Sequence, residues 1–302
     1  MRVQTLLFSV LAIGSFASPA PAQELTGTLK KIKETGTITL GHRDSSVPFS
    51  YYDDKQQVVG FAMDLCGKIV EAVKKELKLD KLEVKLNPVT SATRIPLMAN
   101  GTVDLECGST TNNLERQKQV AFTITHFLTD NRFVAKKTSK LSKFDELKGK
   151  TVVSTSGTTN IKQLNEFNAQ KNAGITIIPA KDHAEAFLMV ETDRAVAFVM
   201  DDILLASLMA SSKNPSGYAI SADALSRPEP YGIMLRRDDP AFKKVADAAM
   251  TAVYKSGEVN AIYDKWFTRP IPPKGINLHL PMSDAFKKVV AKPTDSGDPA
   301  DY

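Results

Sequence analysis

The chain has two cysteines in 302 residues, Cys66 and Cys107. That allows one disulfide at most, and neither cysteine sits in a papain-type signature that would mark a thiol nucleophile. No Gly-x-Ser-x-Gly elbow, zinc-ligand spacing or phosphate-cradling loop occurs, so hydrolase, zinc-enzyme and nucleotide-binding chemistry lack their usual markers. No run reaches the ~18 consecutive apolar residues of a membrane-spanning helix. Charge of one sign is also scarce. Lys and Arg (39) exceed Asp and Glu (34) by five, a surplus too small and dispersed to indicate nucleic acid. What remains is ordinary globular material. Hydrophobic residues are 42% and charged residues 24%, which disfavours disordered, collagen-like and membrane-bundle classes. At roughly 150 residues per domain, the length predicts about two domains.

The first residues carry an address. Arg2 precedes the apolar run 6–13 (LLFSVLAI), and Ala20-Pro21-Ala22 ends the segment with the small residues a signal peptidase accepts. The reading is a cleaved signal peptide over residues 1–22, export to the periplasm, and a soluble mature chain with no direct membrane insertion. No cysteine near the cleavage point could take a lipid. In that oxidising compartment Cys66 and Cys107 can bridge, or each can be a small buried hydrophobe; the sequence leaves both open.

From Gly36 onward, short β-branched runs alternate with longer amphipathic segments. Strand-like runs fall at 37–40, 82–86 and 102–105, and helical patterns at 61–79 and 91–100. Leu65, Ile69, Val73 and Leu77 recur every four residues, one apolar stripe toward a sheet. A second series repeats the alternation, with strands at 151–154, 175–178 and 195–200 and helices at 160–170 and from Asp182. Residues 231–235 predict a further strand, followed by helices over 240–254 and up to Trp266. Pro270, Pro272 and Pro273 stop the last one, and the final thirty residues read as an arm packed on the surface. The lysine-rich stretch 136–150 reads as a solvated connection between lobes. This alternation specifies an α/β chain with mostly parallel sheets.

In such sheets, ligands sit beyond the carboxyl ends of strands, beside helix N-termini. The polar clusters of this chain fall at those exits: GHRDSSVPFSYY (41–52), TSATRIPLMAN (90–100), ECGSTTNN (106–113), STSGTT (154–159), AKDH (180–183) and the Asp201 end of AVAFVMDD (195–202). Thr90 or Ser91 can cap a helix that would hold Arg94 one turn inside. Each cluster alone is an ordinary cap, turn or surface charge. Together they bring hydroxyls and both signs of charge to one edge.

These segments, with ERQK (115–118) and YGIMLRRDD (231–239), resemble the periplasmic polar amino-acid-binding proteins of ABC importers, in particular their glutamate/aspartate-binding branch. The resemblance runs from about residue 28 to about residue 280. It implies a type II periplasmic-binding-protein fold: two α/β lobes joined by two hinge strands, with crossings near 127–132 and 224–232. The first lobe would comprise 23–129 and 230–302, the second 130–229. It further implies that Arg94 clamps the α-carboxylate of L-glutamate or L-aspartate with Ser109, Thr111 and Thr159, and that Asp201 accepts from the α-ammonium. Arg43, Ser91 and His183 would hold the side-chain carboxylate. Charge bookkeeping agrees, since the planar guanidinium fork suits a carboxylate. Closure over the ligand, a monomeric state and a permease partner follow from the same resemblance, which implies neither catalytic residues nor a metal or cofactor. Two other readings are an exported enzyme on this scaffold, such as a cyclohexadienyl dehydratase, and the sensing module of a signalling receptor.

Overall fold

A computed structural model describes residues 25–302, and the leader expected over residues 1–22 lies outside the described residues. The run at 37–40 becomes the strand Thr37–His42, which pairs in parallel with Glu83–Pro88 on one side and Leu105–Glu106 on the other. Met234–Arg236 and Val120–Phe122 complete this five-stranded sheet, with Met234–Arg236 antiparallel to both of its neighbours. The helix Phe61–Glu76 turns its stripe of Leu65, Ile69 and Val73 inward, and Leu77 at its C-cap is buried too. Each such side chain contributes about 1.5–3 kcal/mol through its removal from water. Cys66, on the same helix, is joined to Cys107 by a disulfide with Cα atoms 6.1 Å apart.

The second sheet has the same build. Thr176–Ala180, Thr151–Thr155 and Ala197–Asp201 run parallel, and Asn131–Lys136 and Tyr218–Ile220 add two antiparallel members. The helix Thr159–Lys171 follows Thr151–Thr155 and is capped by Thr158, whose Oγ1 accepts from the Ile161 amide. Between the sheets, Phe127–Thr129 and Glu229–Tyr231 pair antiparallel, Glu229 opposite Thr129 and Tyr231 opposite Phe127. These are the two hinge strands of a type II binding-protein fold. Among the described residues no helix is long and apolar enough to cross a membrane.

Three expectations need correction. The lysine-rich stretch does not join the lobes but belongs to the second: Lys136 ends a strand of its sheet, and Phe144 and Leu147 are buried below it, Phe144 edge-on to Phe133. Two apolar anchors had been hidden among exposed lysines. The helix expected at 91–100 begins only at Arg94, after a turn in which the Thr90 hydroxyl accepts from the Thr93 amide. Pro96 fits there, because amides of a first helical turn have no partner to lose. The final segment is more than an arm. Ser283 caps the helix Asp284–Ala291, and Phe286 is buried among the rings of Phe127, Tyr254 and Tyr263.

Candidate functional site

Arg43 follows the strand Thr37–His42 directly, Ser91 and Arg94 follow Glu83–Pro88, and Ser109 and Thr111 follow Leu105–Glu106. From the opposite lobe, Thr159 opens its helix after Thr151–Thr155, His183 opens the helix after Thr176–Ala180, and Asp201 ends its own strand. All eight are buried. The fold brings every candidate to the facing edges of the two lobes.

At one end, Arg43 donates from Nη2 to Ser91 Oγ at 2.8 Å and faces His183 Nε2 at 3.5 Å. An arginine can only donate, so Nε2 accepts and the imidazole proton lies on Nδ1, which gives it to Thr155 Oγ1 at 2.9 Å. Burial holds the His183 pKa well below its usual value, and the charges of Arg43 and Arg94 add to the effect. His183 is therefore a neutral imidazole here rather than a third cation. In the middle, Arg94 Nη1 donates to Thr110 Oγ1 at 2.6 Å and to the Ser109 carbonyl at 3.3 Å, and Thr110 donates to Glu106 Oε2 at 2.5 Å. Arg43 Nη1, Arg94 Nε and Ser109 Oγ are buried without a protein partner.

The other end is built around a residue that sequence reasoning had quoted only within ERQK. Arg116 is buried, donating from Nη1 to the Thr111 carbonyl at 2.8 Å and from Nη2 across the cleft to the Gly157 carbonyl at 3.3 Å. The Thr111 and Thr159 hydroxyls lie 3.4 Å apart beside it. Burial lowers the Arg116 pKa to about 9, and the charge of Arg94 contributes. Arg43, lowered to about 10 by burial, also feels Arg94. Arg94 thus stands between the other two guanidiniums. Asp201 accepts from Asn160 Nδ2 at 2.8 Å and from the Tyr231 hydroxyl. Burial raises its pKa to about 6, against the pull of those two hydrogen bonds.

Behind Asp201 a hydrogen-bonded chain reaches the hinge. Asn160 also donates to Asn131, Asn131 donates to Gln163, and Gln163 donates to Oε1 of Glu229 in the returning hinge strand at 2.6 Å. Glu106, Arg116, Asn160, Glu229 and Tyr231 were missed as site residues. Glu229 and Tyr231 lie in a hinge strand and Arg116 in the short turn at 116–118, which carry no periodicity. Glu106 at a strand end and Asn160 in a first helical turn stand among polar neighbours that do not single them out. The cleft they line is shut. A Cβ on Gly157 would stand 2.5 Å from the Ala92 Cα of the facing lobe, and Glu115 and Lys162 form an ion pair across the rim.

Two sheets hinged by paired strands, with an enclosed polar cleft between them, match a known group across most of the chain. Residues 38–269 match the family described as bacterial extracellular solute-binding proteins, family 3. The chain belongs to that family. It is 57% identical, over 98% of both chains, to the L-glutamate/L-aspartate-binding protein of Pseudomonas aeruginosa. It is 48% identical, over 98% of this chain and 99% of the relative, to the glutamate/aspartate import solute-binding protein of Escherichia coli. Among solved structures, an ancestral amino acid-binding protein described as a precursor of cyclohexadienyl dehydratase superposes with TM-score 0.68 at 28% identity, covering 80% of this chain and all (100%) of that one. The two curated relatives are named for binding and import, so this family member is a solute-binding protein and not an enzyme.

Proposed function

We propose that the protein captures L-glutamate or L-aspartate in the periplasm, as a monomer, and offers its closed form to the permease of an ABC importer. The observation that carries this is the row of buried guanidiniums facing Asp201 within the shut cleft, on a chain 57% identical to a glutamate/aspartate binder. The moving bodies are residues 23–129 with 230–302, and residues 130–229. Because the facing groups come from both bodies, a ligand spanning them stabilises the closed state by its differential affinity.

The geometry supports one orientation of the amino acid. Thr111, Thr159 and the first turn of the Thr159 helix form a carboxylate seat, and the guanidinium beside them is Arg116. The α-carboxylate is assigned there, to Arg116 in place of Arg94. Asp201 takes the α-ammonium. Arg43 and Ser91 hold the side-chain carboxylate, with the neutral His183 accepting from Arg43 at Nε2 and so orienting that guanidinium, while Arg94 and Ser109 lie between the two ends.

Calorimetry with glutamate, aspartate, glutamine and asparagine tests the assignment, with glutamate or aspartate expected to bind far more tightly than the amides. Glutamine binding as tightly as glutamate would refute it. Asp201 adds a pH dependence. Its ionised form is the one that meets the ammonium, and the ammonium lowers its pKa from about 6. Binding thus releases a proton below that value, and affinity should fall by up to about tenfold per unit as pH drops through 6 and below. A Kd unchanged between pH 7 and pH 5 would contradict this. Gly157→Ala should hold the lobes apart, because the new methyl meets Ala92 backbone rather than a yielding side chain. About tenfold weaker binding, and a scattering radius that shrinks less on adding glutamate, are expected.

A further inference from the structure

Glu229 is a buried carboxyl that the binding scheme does not use. It sits in the returning hinge strand, 5% exposed, with Oε1 held by Gln163 and Oε2 without any protein partner. The groups facing it are Thr159 and Gln163 from the helix Thr159–Lys171, Arg116 from the turn at 116–118, and Asp201 from the end of its strand.

The charges enclosed by the cleft are few and countable. Arg43, Arg94 and Arg116 carry three positive charges, and Glu106, Asp201 and Glu229 offer three carboxyls, while His183 is neutral. With all six ionised the site is balanced. A dicarboxylic amino acid brings two carboxylates and one ammonium, so its enclosure would bury one uncompensated negative charge, which a low-dielectric cleft strongly opposes. One proton restores the balance. Asp201 is required in ionised form by the ammonium, and Glu106 raises the pKa values of both Arg43 and Arg94 by lying close to them. Of the three carboxyls Glu229 is the one free to accept it, beside the Arg116 whose charge the α-carboxylate would neutralise.

Resting on the function proposed above, we propose that Glu229 is the residue that takes up a proton when an acidic amino acid is enclosed. The proton comes from solvent, forms an O–H bond at Glu229, and leaves the ligand's bonds untouched. Burial, with the charge of Asp201, already raises this carboxyl to about 7, and a ligand α-carboxylate nearby raises it further. Uptake is thus partial at pH 7 and approaches one proton by about pH 8, where affinity should fall toward tenfold per pH unit.

The test is calorimetry of glutamate binding to the full chain at pH 8, in buffers of different ionisation enthalpy, for the wild type and Glu229→Gln. The expected result is close to one proton taken up by the wild type and little by the variant, whose affinity should then vary less from pH 7 to 8.5. Equal uptake in both proteins overturns the proposal and leaves His183 as the acceptor. No uptake by a wild type that binds glutamate also overturns it. A wild type that binds neither glutamate nor aspartate overturns the proposed function and this inference together. Should Glu229→Gln not fold, ligand-induced infrared difference spectra of the wild type decide between the two groups. A protonated-carboxyl band supports the proposal, and imidazolium bands without it refute it.

Discussion

Arg116→Met is expected to abolish measurable binding of amino acids, acidic and neutral alike, whereas Arg43→Met should weaken acidic ligands and leave neutral ones nearly unchanged. The contrast follows from position. Arg116 is tied to the Thr111 carbonyl and, across the cleft, to the Gly157 carbonyl, beside the seat assigned to the group that every amino acid has. Arg43 is tied to Ser91 and faces His183, where only a side-chain carboxylate needs a cation. Leaving one partner of a buried charge pair without the other costs about 3–5 kcal/mol, or roughly 10²- to 4 × 10³-fold in Kd. Calorimetry with glutamate and glutamine reads both variants, and unchanged melting curves would separate lost contacts from lost folding. Wild-type affinity in Arg116→Met would return the α-carboxylate to Arg94, and equal losses for both ligands in Arg43→Met would dismiss side-chain recognition there.

The second large effect concerns stability. Cys66→Ala combined with Cys107→Ala removes a cross-link that spans 41 residues, and the chain-entropy estimate for a loop of that length is about 4 kcal/mol. The double variant should melt roughly 8–15 °C below the wild type. Binding should weaken as well, since Cys107 lies two residues before Ser109 and fastens that loop to the helix Phe61–Glu76. A melting temperature within about 2 °C of wild type in differential scanning calorimetry would show that helix and loop stay in place without the bridge.

The parts of this fold that were legible share one property: a local pattern states them. The four-residue spacing of Leu65, Ile69 and Val73 specifies a helix face wherever the helix ends up, and each cluster at a strand exit follows from strand direction alone. Phe144 and Leu147 were illegible because two apolar residues among lysines have no period, and only the sheet above them explains their burial. Arg116 and Gly157 are 41 positions apart and meet only when the lobes shut. His183 could be placed by its cap position after Asp182, but its neutrality depends first on its burial and then on how near Arg43 and Arg94 come. The charge state of a buried group is a property of the assembled site, and no residue-type count supplies it.

The ion pair of Glu115 and Lys162 has a practical use. Their side chains are 64% and 53% exposed, and exposed pairs of this kind contribute only about 0–1 kcal/mol. Both positions can therefore be exchanged for cysteines and coupled to a donor and an acceptor dye with little loss. Such a doubly labelled protein would report extracellular amino acid by its emission ratio, an optical sensor whose two antennae sit on the lips of the cleft.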